Sequence, residues 1–379
     1  FNRDEPRNGF DAVIGNPPWE RIKLQEREFF ALPAPEIATA ANAAQRRRLV
    51  TALAEEQPEL HQRYEQALEH ASDLLTYCRQ SGHYPLTGRG DINTYAVFAE
   101  LAAQLVAPKG RVGLLTPSGI ASDNTTKEFF ASIAESNRLI RLFDFENRTK
   151  QFFPDVDGRF KFCILNFGGE AVKARRAWFV FFAHGADELD DPQRRVELSG
   201  EDIKLLNPNT RTCPIFRSRR DAQITKAVYR QVRVLVDRNR KGPTANPWGV
   251  KFRTLFHQTN DAERFAEAND LKAQKFKLEG NRWIKGRKNR REYLPLYEAK
   301  MVQAYDHRAA DVVTTINNWV RQGQTDQTTL SEHQNPEHLA TPRYWVDRAA
   351  VDEATGDHAS HFLCFKDVTS PTNQRTMIA

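Results

Sequence analysis

The chain has 379 residues, 40% of them hydrophobic and 27% charged, with a net charge of +6 and a pI near 9.1. That is ordinary for a soluble globular protein, and long enough for two or three domains around a large core. No apolar run approaches the ~18 residues of a membrane span, and no signal-peptide pattern opens the sequence. Cys78, Cys163, Cys213 and Cys364 are scattered without a C-x-x-C pair, which fits reduced, cytosolic thiols better than a disulfide framework.

Residues 9–15 read as a short strand, because Phe10, Ala12 and Ile14 alternate with their neighbours. The run then stops abruptly at Asn16-Pro17-Pro18-Trp19. Residues 21–80 are rich in Ala, Glu, Gln, Arg and Leu. Leu49, Leu53, Leu60, Tyr64, Ala67, Ala71 and Leu74 recur at helical spacing, with Pro33, Pro35 and Pro58 as punctuation. A helical insertion that serves as scaffold is expected there. "SGHYPLTGRGD" (81–91) reads as a loop. "INTYAVFAELAAQLVAPKG" reads as a helix capped by Asp91 or Asn93 and ended by Pro108-Lys109-Gly110.

"RVGLLTP" reads as a buried strand, "TTKEFFASIAES" as a helix and "LIRLFDF" as a further strand. A loop containing "QFFPDVDGR" leads to two more strands, "FKFCILNFG" and "AWFVFFA", expected to pair as an antiparallel hairpin at the sheet edge. The class is therefore α/β. Beyond about residue 190 the periodicity weakens and Pro, Asn and charged residues increase. The expected organisation is a first domain over 1–190, a linker over 191–245 and a second, mixed α/β domain over 246–379.

Basic residues cluster at 46–48, 217–220, 238–241 and 285–291. Three of the four clusters follow residue 210, which points to a polyanion-binding C-terminal half. For any single cluster the plain alternative is a solvated loop. The chain opens at Phe1 inside a polar run and reads as a fragment of something longer.

The stretch "FDAVIGNPPW" resembles the amino-methyltransferases that act on the exocyclic nitrogen of adenine. A tetrapeptide of this kind arises by chance on the order of once in a hundred chains of this size. Its place at the carboxyl end of a strand, where open α/β sheets bind ligands, adds weight. The rest of the family's order follows: "DINTYAVF", "APKGRVGLLTPSGI", "QFFP" and "FKFCILNF". "SGHYPLTGRGDINTYAVFAE", "PNTRTCPIFRS", "YLPLYEAKM" and "PRYWV" extend the likeness to the large adenine methyltransferases of type IIG restriction–modification and phage-defence systems. The implied fold is the C-terminal part of a Rossmann-like methyltransferase sheet with a helical insertion, followed by a target-recognition domain.

The resemblance implies roles. The amino lone pair of adenine is delocalised into its ring. Two acceptors, the Asn16 side-chain oxygen and the carbonyl of Pro17, would draw that nitrogen towards tetrahedral geometry. Pro18 stiffens the turn, since consecutive prolines restrict φ. Preorganised dipoles of this kind are a general source of rate. Trp19 and Phe153 would stack on a flipped-out base, with Phe160 and Phe162 as weaker substitutes for Phe153. Asp91, Asn93 and Tyr95 would contact the cofactor, S-adenosylmethionine. Arg217, Arg219, Arg220, Lys285, Arg287, Lys288, Arg290 and Arg291 would neutralise the phosphates of double-stranded DNA. No metal is expected.

One departure matters. The family's glycine-rich cofactor loop should precede the Asn-Pro-Pro-Trp motif, and Gly88-Arg89-Gly90 follows a loop instead of a strand. The remaining cofactor contacts are expected upstream of Phe1, in an N-terminal segment or another defence-system subunit. Two alternatives stay open: a DNA-recognition module without activity of its own, and an RNA or protein amino-methyltransferase. Glu298-Ala299-Lys300 and Asp155 make a poor nuclease site. His358, His361 and Cys364 read as surface histidines beside a buried thiol.

Overall fold

The computed structural model describes residues 9–40, 43–303, 305–313 and 324–356. Two compact units divide the chain, residues 1–250 and 251–379. His358, His361 and Cys364 lie outside the described residues.

The first unit begins with strand β1 (Phe10–Gly15). Two single-turn helices follow, α1 (Glu26–Phe29) and α2 (Pro35–Ala38), then the long pair α3 (Ala43–Glu56) and α4 (Pro58–Gln80). Pro58 opens α4 at a position where its missing N–H costs nothing. Phe30, Ile37, Leu53, Leu60 and Tyr64 bury together as the core of this insertion. The Tyr64 hydroxyl donates to Glu26 Oε1 at 3.0 Å, and burial, then that bond, pushes its pKa up to about 12. Leu74, expected on the buried face, is exposed, because the later turns of α4 point Leu75 and Cys78 inward instead.

Helix α5 (Thr94–Leu105) runs directly into strand β2 (Val106–Pro117). The expected stop at Pro108-Lys109-Gly110 lies inside that strand as an irregularity, where the register with β1 shifts between Phe10 and Ala12. Gly110 is needed there: a Cβ would sit 2.6 Å from the carbonyl oxygen of Phe10. Next come α6 (Gly119–Ser122), α7 (Lys127–Glu135), β3 (Leu139–Glu146), β4 (Lys161–Gly168) and β5 (Ala177–Ala183). Strand β6 (Val196–Leu198) and helices α8 (Gly200–Leu206) and α9 (Arg219–Gln231) complete the unit.

The six strands are ordered β1-β2-β4-β3-β5-β6. β1, β2, β3 and β5 run parallel, while β4 and β6 oppose them. β4 and β5 therefore do not form the expected edge hairpin. β4 inserts between β2 and β3, and β5 lies beyond β3. Burial gives the reason, since Phe162, Cys163, Leu165 and Phe167 are almost wholly enclosed and need neighbours on both sides. Residues 169–176 are long enough to pass the start of β3, whereas a tight hairpin would use a two-residue turn.

The region expected as a linker over 191–245 instead supplies β6, α8 and α9. Ile203, Leu206, Cys213, Phe216 and Ala222 join the main core. Its polar texture arises because α9 buries only Ala222 among its residues.

The second unit holds β7 (Phe265–Glu267), α10 (Ala268–Ala273), β8 (Lys277–Glu279), β9 (Arg282–Lys285) and β10 (Arg291–Pro295). β11 (Ala310–Val312), β12 (Thr325–Gln327), α11 (Leu330–Gln334), β13 (Tyr344–Asp347) and α12 (Arg348–Thr355) follow. Its main sheet, β7-β13-β10-β9-β8, is antiparallel throughout. Leu271, Phe276, Trp283 and Trp345 form its core. No helix among the described residues is long and apolar enough to cross a membrane.

Candidate active site

Because β1, β2, β3 and β5 are parallel, their carboxyl ends share one edge of the sheet, where β4 begins. Asn16 to Trp19 leave β1 at that edge. Pro17 is buried, while Asn16 is exposed and its side chain makes no hydrogen bond among the described residues. Outside the regular elements, no backbone bond among them ends on the carbonyl of Pro17. The two acceptor positions singled out in the sequence are thus unspent.

The chain beyond them is clamped. The Thr94 hydroxyl donates to the carbonyl of Pro18 at 2.7 Å and accepts from the amide of Glu20 at 3.2 Å. The Thr94 amide donates to the Glu20 carbonyl at 2.9 Å, and that of Ile22 to the Ile92 carbonyl at 3.1 Å. Arg21 pairs with Asp91 at 3.2 Å. The first turn of α5 therefore fixes the proline turn. Sequence reading missed Thr94, whose only signal is a hydroxyl at the first helical position.

Trp19 is half-buried, and its indole N–H reaches the carbonyl of Leu115 at 3.4 Å. Its ring meets Phe153 edge to face, with centroids 5.9 Å apart and planes at 72°. Phe153 leans on Phe162 at 5.2 Å, and Phe162 stacks on Phe145 within the core. Phe160 points largely to solvent. The two rings are in direct contact.

The Phe153 loop has its own anchor. Fully buried Asn147 donates to the carbonyls of Phe153 (2.8 Å) and Val156 (3.1 Å) and accepts from the Phe153 amide (3.2 Å). Asn147 was not singled out in the sequence. The signal available was an asparagine at the end of an apolar strand, a position that favours side-chain bonds to nearby backbone.

Asp91, Asn93 and Tyr95 come together around one cavity of about 470 Å³, with Arg21 and the segment 122–126 as its other walls. Asn93 occupies the N-cap position of α5 but makes no cap bond. Its Oδ1 is buried with no partner. Burial, then the nearby Asp123 carboxylate, pushes the Tyr95 phenol up to about 12, so it is a neutral donor. The adjoining loop is held by buried Glu100, which accepts from the amides of Leu86 and Thr87 and from the Thr87 hydroxyl. A Cβ on Gly88 would sit 2.2 Å from the carbonyl oxygen of Cys78, so Gly88 serves packing of that loop.

Deeper in the same edge, Asp144 is almost wholly buried. It accepts from the Ser118 hydroxyl and, at 3.1 Å, from the amide of Phe182. Burial raises its carboxyl above the usual range, although both hydrogen bonds and Lys161 oppose this. Those bonds tie together the ends of β2, β3 and β5.

The basic side chains fall in two places. Arg217, Arg219 and Arg220 are exposed at the amino-terminal start of α9. In the second unit, Lys285, Arg287, Lys288, Arg290 and Arg291 are exposed on and beside the β9–β10 turn. Arg291 is partly committed to Asp347 at 2.9 Å, and Lys285 lies over the Phe276 ring at 5.5 Å. Glu298 pairs with Lys300 at 2.8 Å. No cluster of potential metal ligands occurs among the described residues.

Residues 1–153 match the family of Eco57I restriction-modification methylases. No curated protein matches the chain. Among solved structures it is similar to the type IIG restriction endonuclease BpuSI, at 12% identity and a TM-score of 0.33, over 86% of this chain and 32% of that one. It is also similar to the type I restriction-modification methyltransferase subunit from Streptococcus thermophilus, at 12% identity and 0.30, over 56% and 39%. A third is the ATP-dependent type ISP enzyme LlaBIII bound to DNA, at 10% and 0.26, over 46% and 10%. The chain thus spans well under two thirds of each of these structures.

Proposed function

We propose that the chain carries the catalytic and DNA-recognition parts of a site-specific DNA adenine N6-methyltransferase of a restriction–modification or phage-defence system. The observation that carries this reading is the unspent acceptor of Asn16 at the carboxyl end of β1, next to the Trp19–Phe153 pair, within a segment matching restriction-modification methylases.

In this reading Asn16 Oδ1 and the Pro17 carbonyl accept the two hydrogens of the adenine amino group and turn its lone pair outward. Charge develops on that nitrogen as it is alkylated, and fixed dipoles placed for it lower the barrier. Thr94 and Arg21 hold the turn so that this geometry is paid for during folding. Trp19 and Phe153 stack on the extruded base.

S-adenosylmethionine, when bound, supplies the methyl group on a sulfonium centre. The residues present fit it. The orphaned Oδ1 of Asn93 and the carboxylate of Asp91 are acceptors for its hydroxyl and ammonium groups, and the neutral phenol of Tyr95 is a donor. The basic residues at the start of α9 and on the β9–β10 turn neutralise DNA phosphates, and residues 246–379 read the target.

The test is Asn16→Ala in the protein as its gene encodes it. Methyl transfer to duplex DNA should fall by at least about 10²–10³-fold, with duplex binding retained. Wild-type activity in this variant would overturn the mechanism. Parallel assays with RNA and protein acceptors separate the other amino-methyltransferase readings. Duplex binding by the wild type without any methyl transfer would leave only the recognition-module reading.

A further inference from the structure

The first unit has a second hollow, of about 360 Å³, between the carboxyl-terminal turns of α8 and α9 and the chain that follows each. Five cations line it: Lys204, Arg211, Arg230, Arg233 and Arg240. Against them stand two lining carboxylates, Glu201 and Asp237, with Glu135 and Asp202 outside the lining as partners of Arg211 and Arg230.

Asp237 is spent on its own loop. It accepts from the amide of Asn239 and from Arg240, and these bonds hold its carboxyl below the usual range. Arg211 is paired with Glu135. Arg230 reaches Asp202 only at 3.9 Å, and Lys226 lies closer to that carboxylate at 3.4 Å. Lys204 and Arg233 are exposed, and neither makes an ion pair or side-chain hydrogen bond among the described residues.

Cations at the ends of helices have an ordinary explanation, because a helix carboxyl end carries about half a negative charge. That accounts for Lys204 and Arg230, which stand in the last turns of α8 and α9. It does not account for Arg211 and Arg240, which lie well beyond those helices, since the effect fades within one turn, whereas Arg233 stands just past the end of α9.

The hollow is also preformed. Asn209 donates to the carbonyl of Val236 (2.8 Å) and accepts from the amide of Arg238 (2.7 Å), while Asn239 donates to the carbonyl of Pro208 (2.7 Å). Two asparagines thus lace the segment after α8 to the segment after α9. The half-buried Tyr229 ring forms one wall.

We propose that this hollow is a phosphoryl-binding subsite separate from the methyl-transfer site. Guanidinium forks match phosphate oxygens in pairs, and a rigid basic concavity loses little entropy on binding them. The phosphoryl group belongs either to a nucleic-acid backbone, a form that rests on the DNA reading above, or to a free phosphoanion, a form that does not.

The test compares Lys204→Gln/Arg233→Gln with a charge-matched control, Arg47→Gln/Arg48→Gln, in the 379-residue chain. The probes are inorganic pyrophosphate, by calorimetry, and a short DNA duplex titrated across a salt series. Backbone binding predicts that the first variant flattens the slope of log K against log salt by about 1.8 and weakens duplex binding at least tenfold near 0.1 M salt. A free-phosphoanion site predicts loss of pyrophosphate binding with the duplex titration unchanged. No change with either probe, or an equal change in the control, overturns the proposal. Asn16 is untouched in these variants, so failure of the methyl-transfer reading shows separately, in the Asn16→Ala assay.

Discussion

The two sheets of this protein are built to different depths. In the first unit, β2 runs for 12 residues, and β3 and β4 for 8 each. Core side chains from both faces of that sheet are wholly enclosed. In the second unit no strand among the described residues exceeds 5 residues, and the core of its main sheet rests on Leu271, Phe276, Trp283 and Trp345. A deep sheet can hold a backbone carbonyl and a ring in fixed positions. A shallow one is suited to presenting a charged turn, where position matters less than charge. Under the proposed function, directed acceptors work at the β1 end and diffuse positive potential on the β9–β10 turn.

The first sheet is most sensitive in its core. Phe179 is fully buried in β5, and Phe179→Ala should cost about 3–5 kcal/mol. Native-state hydrogen exchange should show amides of β2, β3 and β4 losing protection while those of β9 and β10 keep theirs. Equal loss in both would show the two sheets to be one cooperative unit.

Asn147→Ala removes three bonds from one loop and leaves the Phe153 amide and two carbonyls without that partner, at a cost of about 1–3 kcal/mol. Under the proposed function it should weaken methyl transfer more than duplex binding, because Phe153 loses its anchor. Equal loss of both would sink the positioning role.

Asp144→Asn should change how stability depends on pH. Its carboxyl is raised in the fold. The stability it contributes is therefore complete below its unfolded pKa, near 3.9, and is lost as pH rises through the higher folded value. The asparagine variant should melt higher than wild type at pH 7, with the gap closing towards pH 4. A gap that widens on acidification would contradict this.

The smallest expected effect on stability comes from Arg287→Gln/Lys288→Gln on the exposed turn, within about 0.5 kcal/mol. Duplex binding should nevertheless lose salt dependence, with the slope falling by about 1.8 if each side chain meets one phosphate. An unchanged slope would remove that turn from the DNA-binding surface.

How much of this was legible in the sequence depends on range. The α/β class followed from apolar runs such as "RVGLLTP" and "FKFCILNFG" alternating with helical periods. The grouping of Asp91, Asn93 and Tyr95 came from the resemblance to adenine methyltransferases, and the helix start alone offered only Asp91 or Asn93 as a cap. Strand order did not follow, because the alternation of side chains fixes which face is buried but not which strand lies alongside. The insertion of β4 between β2 and β3 is visible only in the pairing. Thr94 and Asn147 escaped for the same reason. Their work is done across the fold or around a loop, by hydroxyl and amide groups that look unremarked in a list of residues. The segment after 190 reads as a linker in sequence because α9 buries only Ala222, and a polar helix with a single buried contact looks like loop.

The edge-to-face contact of Trp19 with Phe153 has an energetic consequence. Such a pair is worth about 0.5–1.5 kcal/mol beyond its buried area, and stacking returns about 1–3 kcal/mol per base. Under the proposed function an arriving base exchanges one aromatic contact for two, so the net gain from capture is smaller than the sum of its new contacts. In that reading the closed pair acts as a threshold that favours bases already easily unpaired, because these cost least to extrude.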